Sequence, residues 1–268
     1  MPELFLARYE VMRPLASGGM GSVSLARDLE SNALVVVKTA LDGDPTTLFD
    51  EARVVAQLRH PNIAAVLDAG QSQGKPFAVF ELVDGASLSQ LVKHMPDRRL
   101  PVEHAAFVMH QVLGALAYAH AAVDDAGAPL GIVHRDVSPQ NIMVARDSGA
   151  VKLIDFGIAR GTVRESRTST GVIKGKLRYL APEQARGLRV DGRCDQFAAG
   201  VVLWELLTGV PRLTEREELA ALQHASATPL ERASVHRAIP RSLDDAIARM
   251  TALEPSERFA TCADAAKA

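Results

Sequence analysis

The chain is poor in cysteine. Cys194 and Cys262 are the only 2 in 268 residues, far apart, in no Cys-x-x-Cys pair and with no paired histidines. That excludes a disulfide framework and a cysteine zinc site, and it suits a reducing cytoplasm. Net charge is also scarce: 30 Lys and Arg against 32 Asp and Glu leave −2. Such a balance argues against a nucleic-acid binder that works by neutralising phosphates, so no nucleic-acid partner is expected. The opening MPELFLARYE lacks a basic region followed by an apolar run, so no signal peptide is expected either. One stretch without Asp, Glu, Lys or Arg, residues 105–123, is rich in alanine and contains His110, Gln111 and His120. It reads as a buried helix of a soluble domain and not as a membrane segment. There is no internal repeat and no low-complexity linker.

A hydrophobic share of 47% beside 23% charged residues is an ordinary globular composition, and the length allows one large domain or two modest ones. The first eighty residues read as strands with one helix. YEVMRPLA and SVSLARD alternate around SGGMG, a glycine-rich hairpin turn, and ALVVVKTA is a β-branched run ending in Lys38. DPTTLFDEARVVAQLRH opens with Asp44 as N-cap and Pro45 in the first turn, which predicts a helix. AAVLDAG and PFAVFEL predict two more strands. After about residue 83 the texture turns helical: SLSQLVKHM, VEHAAFVMHQVLGALAYAHA, the almost wholly apolar CDQFAAGVVLWELLTG, SLDDAIARMTAL and TCADAAKA. The fold class is α+β, a small antiparallel sheet lobe with one helix followed by a larger, mainly helical lobe.

Several short motifs carry chemistry. Gly18, Gly19 and Gly21 sit between two strands, where backbone without Cβ can approach a phosphate closely. Alone, such a turn is more often structural. Lys38 alone would be an ordinary strand end, and Glu51, thirteen residues on, an ordinary helical charge. Together they make sense as a phosphate-gripping ammonium with a carboxylate to hold it. The stretch HRDVSPQN then offers Asp136, able to orient an attacking hydroxyl, and Asn141, and IDFG follows with Asp155. Asn141 and Asp155 supply the hard oxygen donors that Mg²⁺ takes beside phosphate.

With glycine loop, VVVK, Glu51, HRD, Asn141, DFG and APE at 181–183 in order, the chain resembles a bacterial, eukaryotic-like serine/threonine protein kinase from about Tyr9 to its end. The resemblance implies a two-lobed kinase catalytic domain over 9–268, with an N-lobe to about residue 82, a hinge at 81–85, a C-lobe from 86 and an activation segment over 155–183. It implies ATP and Mg²⁺, with Mn²⁺ as a substitute, and a protein substrate carrying serine or threonine. Nucleotide would meet Leu15, Ala16, Ser17, Gly18, Gly19, Met20, Gly21, Ser22 and Val23 of the loop. Val36, Met143 and Ile154 would enclose the ring, and Phe80, Glu81 and Val83 would form the gatekeeper and hinge. Lys38, oriented by Glu51, would grip phosphates, and Asp136 would position the hydroxyl. Asn141 and Asp155 would hold metal. Asp195 would anchor the catalytic loop, and Glu183 with Arg258 would pin the end of the activation segment.

The chain departs from the family pattern at three positions. Ala16 replaces the first glycine of the loop, which predicts a modest effect on nucleotide affinity. Ser138 stands where the family has a lysine that neutralises the transferring phosphate, a loss of about 3 kcal/mol, or roughly 10²-fold in rate. Lys176 stands where the family has a threonine that packs against that lysine. The two changes read as an exchange, with Lys176 returning the ammonium from the opposite wall; independent drift is the plainer reading.

In the activation segment Thr168, Ser169 and Thr170 cluster beside Gly171, and Arg135 precedes Asp136. Autophosphorylation at Thr168 or Thr170, ordering the segment against Arg135 and aided by self-association, is expected. Two alternatives stand beside the protein kinase: a nucleotide-binding pseudokinase scaffold and a small-molecule phosphotransferase. APE, Arg258 and the long activation segment favour a protein substrate.

Overall fold

The structure is a computed structural model that describes residues 4–5, 8–18, 21–39, 54–72, 75–156, 177–213 and 218–268. Its Cα packing divides the chain into two compact units, Met1–Asp84 and Gly85–Ala268.

The first unit is an antiparallel sheet of six strands in the order β1-β2-β3-β4-β6-β5. These are β1 Leu4–Phe5, β2 Tyr9–Gly18, β3 Gly21–Asp28, β4 Leu34–Thr39, β5 Val66–Ser72 and β6 Lys75–Glu81. Alternation along β4 buries Val35 and Val37, which join Tyr9, Ala26, Phe77 and Val79 in one apolar cluster. Each such side chain withdrawn from water is worth about 1.5–3 kcal/mol. Period-2 pleating then turns Val36 and Lys38 to the opposite face. The Arg8 guanidinium closes the β3–β4 end, donating Nε and Nη2 to the two carboxylate oxygens of Asp28 at 2.9 and 3.0 Å.

The second unit is built on helix. Its helices are α1 Leu88–Lys93, α2 Val102–His120, α3 Pro182–Ala185, α4 Arg193–Thr208, α5 Glu218–Ala227, α6 Arg241–Met250 and α7 Cys262–Lys267. A small antiparallel sheet accompanies them: β7 Gly85–Ser87, β8 Ile142–Ala145 and β9 Val151–Leu153. The apolar run of α4 is buried on every side except at Glu205, and α2, α6 and α7 pack against it. The helix stops because Gly209 adopts φ 71°, with its N–H donating to Glu205 O at 2.8 Å. A Cβ there would lie 2.2 Å from Asp97 O, so the position needs glycine twice over. Helix α1 starts with a reciprocal cap: Ser87 Oγ accepts the Gln90 N–H at 3.3 Å and Gln90 Oε1 accepts the Ser87 N–H at 2.9 Å.

The strands around SGGMG, the β-branched run to Lys38, the two later strands and the five helices read from the sequence after residue 83 form where the pattern predicts them, whereas α3 Pro182–Ala185 and α5 Glu218–Ala227 have no expectation behind them. The helix expected over residues 44–60 lies outside the described residues except at its end. Strands β1, β8 and β9, of 2, 4 and 3 residues, have no expectation behind them because so few residues carry no period. The segment 122–131 is a compact exposed turn in which Asp124 Oδ1 accepts the N–H groups of Ala126 and Ala128 at 2.9 and 2.8 Å. Among the described residues, no helix is long and apolar enough to cross a membrane. Cys194 and Cys262 are free and buried, and burial pushes both thiols up, away from reactive thiolate.

Candidate active site

In the first unit, register decides what shares a face. Val23 lies opposite Lys38, Lys38 opposite Ala78, and Val36 opposite Phe80, while Ala16 pairs with Val23. Directly opposed residues of an antiparallel ladder point the same way. Ala16, Val23, Val36, Lys38 and Phe80 therefore stand together on the face away from the Tyr9 cluster. Lys38 Nζ lies 6.0 Å from the centre of the Phe80 ring. Leu15 is exposed, Val83 is half-buried, and Ser22 Oγ hydrogen-bonds Thr39 Oγ1 at 2.8 Å. The Glu81 N–H donates to Ala65 O at 3.0 Å. Gly18 pairs with Gly21, and Ser17 with Ser22, in the hairpin whose turn residues Gly19 and Met20 lie outside the described set. Glu51, Thr168, Thr170 and Lys176 lie outside it as well.

In the second unit the catalytic loop is fixed from below by one carboxylate. Asp195, 1% exposed in the first turn of α4, accepts the N–H of His134 on Oδ2 and that of Arg135 on Oδ1, both at 2.7 Å. His120 Nε2 binds the same Oδ2 at 2.8 Å from the end of α2. Burial alone would push this carboxyl up. The His120 hydrogen bond, the electrostatic influence of the neighbouring His120 and His134 rings and the backbone donor outweigh burial and hold it below the ordinary range. Gripping two consecutive amides forces the chain to turn, and Arg135 takes φ 63°.

His134 is fully buried, and its ring has both roles assigned. Nδ1 accepts the Asp136 N–H at 3.2 Å, so Nε2 is the end that donates to Ile154 O at 3.0 Å. Its ring also packs on Phe156, with centres 4.6 Å apart. The histidine thus ties the segment bearing Asp136 to the one bearing Asp155. Asn141 makes the second tie. Its Nδ2 donates to Asp136 O at 2.8 Å and to Asp136 Oδ2 at 3.1 Å, and its carbonyl accepts the Ile154 N–H at 2.9 Å. Asp136, Asn141 and Asp155 are brought together in this way, with Met143 on β8 and Ile154 just beyond β9.

The donor set fits a hard cation. With the Asn141 nitrogen committed to Asp136, the carboxamide oxygen is the end left to coordinate, and Asp155 adds a carboxylate one residue past the Ile154 bond. Asp155 holds φ 60°, a backbone geometry a non-glycine residue adopts only under constraint. Among the described residues, no group of three His, Cys, Asp or Glu side chains forms a complete metal cage. Two protein oxygens completed by phosphate is how Mg²⁺ is usually held. Ser138 is 5% exposed, and its carbonyl accepts the Asn141 N–H at 2.9 Å, so the residue that replaces the expected lysine still shapes the loop through its backbone.

The Ala181-Pro182-Glu183 turn is locked on its far side. Arg258 donates Nη1 and Nη2 to the two Glu183 oxygens at 2.7 and 2.8 Å. Its remaining hydrogens reach Arg193 O, Leu253 O and Ala252 O, and its plane lies 4.8 Å over Phe197. All five donors are used, which is what a buried guanidinium requires. Gln184, next along the same helix, donates to Arg135 O at 3.4 Å and accepts the Ala181 N–H at 3.1 Å. His120, His134 and Gln184 escape the sequence reading. Each has a partner at least 20 residues away (Asp195 for His120, Ile154 O for His134 and Arg135 O for Gln184), which no local pattern reveals.

Comparison with known proteins agrees with this geometry. The chain matches the family model for the protein kinase domain over residues 9–267. It is 36% identical over 265 residues to the tyrosine-protein kinase MasK of Myxococcus xanthus, covering 94% of this chain and 41% of that protein. It is 38% identical over 262 residues to the serine/threonine-protein kinase PknL of Mycobacterium tuberculosis, covering 95% and 63%. It therefore spans between two-fifths and two-thirds of the length of these relatives. The crystal structure of a single-substitution mutant of the Mycobacterium tuberculosis PknI kinase domain superposes with a TM-score of 0.75 at 29% identity, covering 99% of this chain and 95% of that one. The order of motifs, the amide-gripping aspartate beneath the catalytic loop and the family match lead to one statement: the chain belongs to the protein kinase domain family.

Proposed function

We propose that the chain transfers the γ-phosphoryl group of ATP to serine or threonine hydroxyls of proteins in bacterial signalling. The observation that carries this reading is the Asn141 side chain, whose nitrogen fixes the Asp136 carboxylate while its oxygen is left as a metal donor. One amide thereby ties the group that would orient the nucleophile to the group that would hold the cation.

Lys38, on its sheet face, grips the α- and β-phosphates with Glu51 as its counter-charge. Mg²⁺ or Mn²⁺ at Asn141 and Asp155 neutralises the phosphate oxygens when bound. Asp136 accepts the hydrogen bond of the incoming hydroxyl and takes up its proton as the phosphoryl group leaves ADP. Leu15, Val23, Val36, Met143 and Ile154 contact the adenine ring, with the backbone of Glu81 and Val83 at its edge. Lys176 supplies the ammonium that Ser138 cannot. Thr168 or Thr170 is the site of autophosphorylation, aided by self-association, and the acquired phosphate pairs with Arg135 and orders the segment. The reaction belongs in the cytoplasm, where ATP is present and the free thiols stay reduced.

The matched relatives are named for both tyrosine and serine/threonine transfer. The loop SPQN lacks the alanine-arginine pattern of tyrosine kinases, which favours serine or threonine. The test uses labelled ATP, a generic basic protein and wild type beside Asp136→Asn and Lys176→Met. Asp136→Asn is expected to lose about 10²–10⁴-fold in transfer rate, and Lys176→Met about 10²-fold. Phosphoamino acid analysis is expected to give phosphoserine and phosphothreonine. Undiminished transfer by Asp136→Asn overturns the reading, and label found only on tyrosine overturns the choice of acceptor. Undiminished transfer by Lys176→Met removes the exchange alone.

A further inference from the structure

Arg212 lies just beyond α4, in GVPRL, and the residue is 8% exposed. It reaches backbone from two separate stretches of the second unit. Nη1 donates to Arg178 O at 3.1 Å and to Leu180 O at 3.0 Å, while Nη2 donates to Ala225 O in α5 at 3.0 Å. The guanidinium plane lies 4.7 Å over the Phe197 ring. Its own N–H donates to Glu205 Oε1 at 2.8 Å, and the other oxygen of that carboxylate accepts the Tyr179 hydroxyl at 2.7 Å. Arg178 Nε lies 3.5 Å from Glu205 Oε1. Residues 178–180 are therefore held from α4 and its C-terminal extension by two main-chain carbonyls and one hydroxyl.

Apolar contact alone would leave this segment free to slide. Leu177 and Leu180 pack with Leu213, Ala221, Leu222 and Ala225, a non-directional attachment. The planar fork of an arginine is directional, because it fixes its acceptors in one plane at set angles. Within 177–181 the backbone N–H groups of Leu180 and Ala181 bond to Leu177 O and to Gln184 Oε1, so the segment's firm outside anchors are those of Arg212 and Glu205. From here the chain runs directly into the turn whose Gln184 touches Arg135 O beside Asp136.

We propose that Arg212 is a positioning residue for the polypeptide substrate. It holds the carbonyls of Arg178 and Leu180 against α5, and so sets the backbone surface beside the catalytic loop on which an acceptor polypeptide lies. The inference rests on the protein-kinase reading given above. The fork is committed to the carbonyls of Arg178, Leu180 and Ala225, outside the residues assigned to nucleotide, so its loss is expected to weaken binding of polypeptide and leave that of ATP intact.

The test is steady-state kinetics on the full chain with a generic basic protein as acceptor, for wild type, Arg212→Met and Arg212→Lys. Amide hydrogen exchange over residues 177–181 is followed on the same samples. For Arg212→Met the KM for polypeptide is expected to rise about tenfold with the KM for ATP unchanged, the pattern of a lost binding contact. Protection of the amides at 180 and 181 falls in parallel. Arg212→Lys keeps the charge without the fork and is expected to fall between, and it decides the matter where the methionine variant does not fold. An unchanged polypeptide KM in a folded variant, or equal rises for polypeptide and ATP, overturns the inference while leaving the kinase reading in place. A wild-type chain that binds ATP and transfers nothing to any polypeptide overturns the reading and the inference with it.

Discussion

Asp195 collects two backbone N–H groups and one imidazole on a single buried carboxylate, and its replacement by asparagine is a sharp residue-scale test. An amide must donate where the carboxylate accepts, so one of the N–H groups of His134 or Arg135 would face a donor. Asp195→Asn is expected to cost about 3 kcal/mol in urea unfolding. The folded-state carboxyl lies below its ordinary range. Its stabilisation is therefore complete above the unfolded value of about 4 and is lost as pH falls through the lower folded value. The gap between wild type and Asp195→Asn should close below pH about 4, and an unchanged gap there would show that the carboxylate charge is not what stabilises the loop. Asp195, Asn141 and Arg258 are legible in the sequence because each belongs to a motif with fixed spacing. His120 is not. In the sequence it counts only as a polar interruption of an apolar run, and its purpose appears only with Asp195, 75 residues away.

At the scale of elements, α4 is the most legible part of the fold, since an apolar sequence on every side can only be a central helix. Its end is equally specific. Gly209→Ala would place a Cβ methyl at φ 71° and 2.2 Å from Asp97 O. The left-handed backbone alone costs about 1–2 kcal/mol, and the Pro96–Arg98 turn must shift in addition. The urea midpoint is expected to fall accordingly, with the KM for ATP unchanged, and an unaltered midpoint would refute this account of the helix end. The strands β8 and β9 stay hidden in the sequence although they carry Met143 and lead to Asp155. They are too short to show alternation, and their place is set by the pairing of β8 with β7 and of β9 with β8. Arg212 is hidden for a different reason: its acceptors are main-chain carbonyls, and a carbonyl has no residue identity to read.

At the scale of the molecule, nucleotide binding should register as stability of the whole chain. ATP with Mg²⁺ at one hundred times its Kd is expected to raise unfolding free energy by about 2.7 kcal/mol. Removing the cation with EDTA should cancel most of that gain, and Lys38→Met should reduce it. A thermal midpoint indifferent to ATP and Mg²⁺ would contradict the nucleotide site. The overall architecture is legible because motifs of both units occur in one order, each with its own chemistry. What single residues do within it depends on contacts made after folding.

Glu183 and Gln184 are neighbours on a helix of 4 residues, yet one faces the buried guanidinium of Arg258 and the other the carbonyl of Arg135. A rotation of that one turn cannot satisfy one partner without disturbing the other. The short helix therefore couples the Arg258 pair to the loop that carries Asp136 through adjacent side chains of a single turn.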